Sequence, residues 1–402
     1  MDKSFDLIVV GAGLVGCAFA LDVVQRSNLK VALVECRPMA TVDVRSPSIS
    51  IGNQRVVALG MKSIDMLRRV GIFDKLTADQ AHGYTSMRVW DESSNGELSF
   101  DASDVDQPLL GYMVDSQACT SILQEQAISF HKVRKASSGL TCFFDTEILS
   151  IELAAQRCQL FGSDQFHIKA PLVVAADGSR SWVRQQAKIQ SSRLNYEQRG
   201  IVAKIRPKAS HQNCAWQRFS KTGPVAMLPL HDNYCSIVWS LDSSHAEQLL
   251  ELPDDEFCAL LGQTADWKLG EIAEVSPRQS FPLISQQAQT YIAPGVALMG
   301  DAAHSIHPLA GQGANLGFKD ADCLANLILS AKPNEHASLS LLAQYQKERR
   351  PDNRQTDLLM TLLNQGFKTS NRAVSAVRGL GMNWINQTTF IKKLLAEQAM
   401  GI

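Results

Sequence analysis

The chain has 402 residues, 45% apolar and 20% charged, a composition that builds roughly two or three folded domains and excludes a fibrous or largely disordered protein. Thirty-nine basic residues nearly balance forty acidic ones, leaving a formal charge of −1, so no global field recruits nucleic acid and any anionic partner must be held locally. Nine cysteines lie scattered without a C-x-x-C pair, which points to free thiols in a reducing compartment, away from a disulfide frame or a zinc site.

Phe5–Val10 reads as a buried parallel strand, Leu14–Gln25 as a helix and Lys30–Glu35 as a second strand, together a βαβ unit. The apolar run that begins the unit is too short to span a bilayer and follows Asp2 and Asp6, not a basic flank, so the expected setting is a bacterial-type cytoplasm. After a polar loop over 37–53, Val57, Ile64, Met66 and Leu67 predict one helix from Arg55 to Val70, ended by Gly71. Tyr84–Trp90 and Leu98–Phe100 alternate around the turn Ser93–Gly96 and predict a hairpin. A helix is expected from Ser116 to near Ile128, then strands at 140–144 and 148–153, and a buried strand Pro171–Ala176 that runs into Asp177-Gly178.

From residue 190 to 285 the pattern is β-rich, with strands at Gly200–Ile205, Ala215–Phe219, Val225–Pro229 and Tyr234–Trp239 and one helix over Ala246–Leu261. Val296–Met299 returns as a core strand before a glycine-rich loop and a helix beginning near Ala314, and the C-terminal stretch reads as helical. The alternation predicts a two-domain α/β (α+β) chain. A discontinuous nucleotide-binding domain takes 1–80, 105–185 and 285–345; a mainly antiparallel sheet domain, inserted as 81–104 and 186–284, takes the substrate; helices follow over 346–402.

Gly11-Ala12-Gly13-Leu14-Val15-Gly16 directly follows a strand and opens a helix. The first glycine permits the tight turn, the second lets backbone approach a pyrophosphate, and the third allows close packing of the helix, whose free N–H groups face the phosphates. Glu35, nineteen residues after Gly16, ends the next strand, where a carboxylate accepts hydrogen bonds from a ribose diol. Glycine triplets also arise by chance, but strand, helix and acid together favour dinucleotide binding. Two further acidic strand ends, Asp177-Gly178-Ser179 and Gly300-Asp301, each read alone as turns; a simple NAD dehydrogenase has no use for both.

With those elements in place, the stretch from His307 to Asp320, which holds Pro308, Gly311, Gln312, Gly313, Ala314, Asn315 and Gly317, resembles flavoprotein aromatic hydroxylases of the p-hydroxybenzoate hydroxylase type, and among them the ubiquinone-biosynthesis hydroxylases. Arg55–Leu59, Gly111–Asp115, Arg218-Phe219, Gly223–Pro229 and Ser236–Trp239 follow in the same order, so the resemblance runs from residue 5 to about 360. It implies a Rossmann-like FAD domain, with Gly11, Gly13, Leu14, Val15 and Gly16 at the pyrophosphate and Glu35 at the adenosine ribose. It also implies Arg55 along the cofactor, Gln117 on the cofactor chain, Asp177 near the pyrophosphate and the NAD(P)H route, and Asp301 on the ribityl hydroxyls. Pro308 through Asn315 would border the isoalloxazine, where the amides of the 311–315 turn stabilise charge on the reduced ring. Gly52-Asn53-Gln54 and Asp115 depart from what many relatives carry.

The implied activity is hydroxylation of a polyprenylated phenol or benzoquinol ring in ubiquinone biosynthesis, with NADPH or NADH reducing FAD and O2 adding as a C4a-hydroperoxide. The alternatives are an FAD-dependent isoprenoid or quinone reductase without oxygen insertion, and a non-catalytic flavin-binding partner. No second G-x-G-x-x-G exists, since Leu316 stands where the third glycine belongs, so the nicotinamide is expected to visit transiently. No side chain is assigned as catalytic. Met227, Leu228, Pro229 and Trp239 serve equally as substrate wall or as core.

His304 and His307 lack a third ligand at metal-binding spacing, and the six tryptophans read as core. The segment from Arg372 to Lys393, with Arg378, Lys392 and Lys393 beside Leu380, Trp384 and Phe390, reads first as a docking helix and second as a surface for lipid or partner subunits. The partners under consideration are thus the prenylated substrate, O2, NAD(P)H, a ubiquinone-biosynthesis complex, a peripheral contact at the inner membrane and self-association.

Overall fold

The computed structural model describes residues 3–40, 55–133, 139–306, 311–332, 335–368 and 372–400. Its first layer is a six-stranded sheet in the spatial order Ile292–Ala293, Val296–Leu298, Val173–Ala175, Leu7–Val10, Lys30–Val34, Gly139–Phe143. All neighbours pair in parallel except the first two. Parallel strands covered on both faces must be apolar throughout, and Leu7–Val10, Val173–Ala175 and Val296–Leu298 are buried at every position. Helices Leu14–Arg26, Ser116–Val133 and Gln312–Ser330 pack with this sheet into the largest core.

The second layer is a sheet of nine strands built on the 17-residue strand Ser191–Pro207, which pairs with Cys235–Asp242 on one side and Gln279–Ala288 on the other. Its pairs are antiparallel except Ser86–Asp91 against Cys214–Ser220. One face carries Ile201, Val225, Met227, Ile237 and Trp239, packed with Phe257 and Leu261 of a covering helix. Phe257 is fully buried, which contributes about 2–3 kcal/mol. The opposite face is left for a cavity.

The architecture is the α/β one expected, with a Rossmann-like βαβ start, a mainly antiparallel second sheet and a helical C-terminus. Three local expectations are corrected. The single helix over 55–70 is a strand, Val56–Gly60, followed by a helix, Met61–Arg69, with Gly60 at its N-cap. Val56 and Val57 pair antiparallel with Asp115 and Val114, and that partner strand overrides the helical spacing. Tyr84 does not belong to the hairpin: Ala81–Tyr84 joins Gly111–Asp115 in a three-stranded sheet, and only Ser86–Asp91 and Glu97–Asp101 pair across the predicted turn. The helix over 246–261 is two, Ser243–Glu251 and Asp254–Thr264, broken where Pro253 holds Leu252 extended at ψ 146°.

At the C-terminus, Leu339–Lys368, Arg372–Gln387 and Thr389–Met400 are helical, and no helix among the described residues is long and apolar enough to cross a membrane. Arg378 and Lys392 face inward, whereas Lys393 pairs with the exposed Asp106: Arg378 binds the buried Asp91 carboxylate through Nε at 2.9 Å and Nη2 at 2.6 Å, and Lys392 pairs with Asp104 at 2.8 Å. Leu380, Trp384 and Phe390 point outward, 71%, 60% and 77% exposed.

Candidate active site

A cavity of about 950 Å³ opens between the two large sheets. The parallel strands deliver residues to it from their carboxyl ends, the crevice where open α/β sheets bind ligands. Gly11 follows Val10, Glu35 follows Val34, Asp177 lies beyond Ala175 and Asp301 beyond Leu298, and all four line the wall. Four distant chain segments thus converge on one space.

Each glycine of the first loop has a distinct physical requirement. Gly11 has φ +104°, and a Cβ there would lie 2.4 Å from the Ala176 carbonyl oxygen. Gly16 sits under the loop, where a Cβ would lie 2.0 Å from the Gly11 oxygen, so it packs and does not line the cavity. Gly13 is the N-cap of Leu14–Arg26, without a side-chain cap, and a Cβ there meets nothing within 4 Å among the described residues. Open space over uncapped helix amides, bordered by Leu14 and Val15, fits a pyrophosphate.

Glu35, 7% exposed, accepts from the Ala12 N–H at 2.8 Å and from Arg37 through backbone N at 3.2 Å and Nε at 3.1 Å. Burial pushes its carboxyl up, but the Ala12 and Arg37 bonds outweigh it and hold the group below the usual glutamate value. An ionised acceptor at the second strand's end suits a ribose diol. Asp177 differs. One oxygen accepts from Val183 N–H at 3.0 Å, the other is buried with no hydrogen-bond partner among the described residues, and burial pushes the carboxyl up.

The helix Gln312–Ser330 presents a second uncapped N-terminus to the same cavity, begun by Gly311 at φ +63°. Gly311, Gly313 and Ala314 line the wall, as does Arg55 from the segment beneath. Asn315 turns away: its Oδ1 accepts from Gly60 N–H at 2.9 Å and Ser63 Oγ at 2.7 Å, and its Nδ2 donates to Ala58 O at 2.9 Å, fastening the helix to the Val56–Gly60 strand. Gln312 and Gln117 are not on the wall; Gln117 is exposed, and its neighbours Ser116 and Thr120 border the cavity instead. Pro308, with His307 and the Asn53 region, lies outside the described residues. His304 is fully buried, its Nε2 on Asp320 at 2.5 Å.

The other wall is the open face of the nine-stranded sheet. Strand alternation sends Pro224, Ala226 and Leu228 to the cavity and Val225 and Met227 to the core behind, and the facing strand repeats this with Ser236, Val238 and Ser240 against Ile237 and Trp239. Of the four wall candidates, Leu228 alone lines the cavity; Met227 and Trp239 are core. Tyr84, Met87 and Phe281 complete an apolar half whose polar side chains include Gln217, Ser236 and Ser240. Burial pushes the Tyr84 hydroxyl up to about 12, so it stays protonated at neutral pH.

Several site residues carried no local sequence signal. Gln124, from the helix Ser116–Val133, donates to Ala12 O at 2.8 Å and braces the glycine loop. Arg184 donates to Ser179 O at 2.9 Å and Ala302 O at 2.7 Å, and Gln286 also donates to Ser179 O at 2.9 Å, which fixes the loop after Asp177. A side recess of about 380 Å³, lined by Arg180, Arg184 and Arg193 and by no acidic residue among the described ones, shares Ser179, Arg180 and Ser305 with the main cavity.

The family described as FAD binding domain matches residues 4–357. The 3-demethoxyubiquinol 3-hydroxylase of Escherichia coli (strain K12) is 30% identical, over 99% of this chain and 98% of that protein. The ubiquinone hydroxylase UbiL of Rhodospirillum rubrum is 32% identical, over 100% and 90%. The solved structure of p-nitrophenol 4-monooxygenase PnpA from Pseudomonas putida covers 100% of this chain and 99% of its own at a TM-score of 0.76 and 18% identity, a likeness of fold. With two uncapped helix N-termini, a ribose acceptor and an orphaned carboxylate around one cavity, and that match over most of its length, this chain belongs to the FAD binding domain family of FAD-dependent monooxygenases.

Proposed function

We propose that this protein hydroxylates the ring of a polyprenylated phenol or benzoquinol in ubiquinone biosynthesis, taking two electrons from NAD(P)H and one oxygen atom from O2, the other oxygen leaving as water. The observation that carries the reading is the junction within one cavity of a half lined by two glycine loops and the strand-end acids Glu35, Asp177 and Asp301 with an apolar sheet face. The names of the two curated relatives support the substrate class.

FAD, when bound, supplies the activation of oxygen; the chain's residues position and shield. Gly11, Gly13 and the amides of Leu14 and Val15 would take the pyrophosphate, Glu35 the ribose and Asp301 the ribityl chain. The amides at Gly311–Ala314 lie at the positive end of a helix and would steady negative charge at the flavin's edge. Pro224, Ala226, Leu228, Val238 and Phe281 keep water from the ring, while Gln217, Ser236 and Ser240 offer hydrogen bonds to its oxygens. Arg180 and Arg193 would offer positive charge to the phosphates of a visiting coenzyme, with no acidic residue beside them on the recess among the described ones. Leu380, Trp384 and Phe390 give the apolar surface for a peripheral membrane contact near the source of a prenylated substrate.

The test is deletion of the gene in its host, followed by mass spectrometry of quinone intermediates, with a complemented strain as control. Accumulation of one prenylated intermediate short of a single oxygen supports the reading and names the ring position. An unchanged quinone pool with no redundant hydroxylase refutes the substrate assignment.

A further inference from the structure

Asp320 lies nine residues into the helix Gln312–Ser330, on the side away from the cavity, and is fully buried. Its Oδ2 accepts from Gly300 N–H at 3.0 Å and His304 Nε2 at 2.5 Å; its Oδ1 accepts from Arg349 Nε at 2.9 Å and Asn353 Nδ2 at 3.0 Å. Four donors on two oxygens satisfy an ionised carboxylate completely. Burial pushes the group up, but His304, Arg349 and Asn353 hold it below the usual aspartate value.

The Gly300 bond matters most. Gly300 and Asp301 both line the cavity, and Gly300 holds φ +57°, one of several conformations open to a glycine, so the hydrogen bond to its N–H helps select which one the turn adopts. The Asp301 carboxylate is exposed to the cavity and has no protein partner among the described residues, so its position is inherited from the turn that carries it. The turn is pinned by Met299 N–H to Ala175 O at 3.0 Å before it and by Asp320 at Gly300. Arg349 is itself held by Asp352 at 2.7 Å and Asn353 Oδ1 at 2.8 Å, so the clamp is rooted in the long helix Leu339–Lys368.

We propose that Asp320 is a positioning residue for FAD: it sets the Gly300–Asp301 turn so that Asp301 meets the cofactor already oriented. This rests on the reading of Asp301 as a cofactor contact. Asp320→Asn keeps volume but sets an amide donor against His304 or Arg349, loosening the turn.

The experiment measures flavin release from the holoprotein, by the rise in FAD fluorescence, for Asp320→Asn, Asp301→Ala and the double variant. The expected result is about tenfold faster release for each single variant and no further acceleration in the double, because both changes remove one shared contact. Tyr345→Phe, which breaks a buried bond to Leu298 O at 2.8 Å without touching Asp320, lowers thermal stability and leaves release unchanged. Should Asp320→Asn fail to fold, His304→Gln, which retains an N–H donor, is expected near wild type while His304→Leu follows the Asp301 variant. Multiplicative effects in the double variant, or wild-type release from Asp320→Asn, overturn the proposal. Unchanged release from Asp301→Ala overturns both it and the Asp301 reading, whereas a wild-type chain that retains no FAD refutes the flavoprotein assignment itself.

Discussion

Replacing Gly13 with alanine separates the cofactor site from the fold. Gly13 has φ −76°, accessible to any residue, and a Cβ there meets no atom of the described residues within 4 Å. The apoprotein is expected to keep its stability, or to gain up to ~1 kcal/mol from a less flexible unfolded chain. The added methyl fills space over the helix amides, where it holds a pyrophosphate oxygen back and removes one or two charge-assisted hydrogen bonds of about 1.5–3 kcal/mol each. FAD affinity then falls by about 10- to 100-fold or more. Gly11→Ala is the contrasting case: its Cβ would press to 2.4 Å from Ala176 O at φ +104°, a left-handed penalty and a backbone clash worth about 2–5 kcal/mol together. The assay pairs thermal denaturation of the apoproteins with FAD titration. A Gly13→Ala protein as unstable as Gly11→Ala, or one that binds FAD like wild type, refutes the reasoning.

Four further outcomes follow from the geometry. Asp177 is raised by burial, so its cost to the fold is absent below the unfolded aspartate value near pH ~4 and grows as pH climbs through the folded value. The Asp177→Asn apoprotein therefore melts above wild type at pH 7 and level with it at pH 3, as calorimetry across pH would show. Ala226→Trp fills the cavity's apolar half: product formation is lost while anaerobic flavin reduction by NAD(P)H persists. Met227→Ala, one residue on, instead costs about 2–5 kcal/mol of stability and leaves the cavity wall intact. Arg180→Gln with Arg193→Gln raises the coenzyme concentration needed for half-maximal flavin reduction at least tenfold without changing bound FAD; an unchanged requirement places the coenzyme elsewhere.

The glycine loop, Glu35 and the Asp177 and Asp301 turns were legible because each is a strand end followed by its own turn, a pattern carried within ten residues. Val56–Gly60 was not, because the strand that claims it, Gly111–Asp115, lies some fifty positions away and outweighs a local helical spacing. The Pro253 break had a sequence signal, a proline that keeps Leu252 from helix, which the single helix expected over 246–261 passed over. Which of Ala226, Met227 and Leu228 faces the cavity depends on the parity of the strand relative to the core behind it, and that needs the register with Cys235–Asp242. Asn315 belongs to the flavin-loop stretch by sequence, yet its side chain serves the adjoining strand, since helical rotation turns it away from the helix tip.

The most direct measurement is incubation of the holoenzyme with NAD(P)H, a prenylated phenol and isotopically labelled 18O2, followed by mass spectrometry of the product. A hydroxylase incorporates one labelled oxygen into the ring per reduced coenzyme consumed. A product reduced or dehydrogenated without label, at any coenzyme stoichiometry, contradicts the account and assigns the cavity to an oxidoreductase that inserts no oxygen.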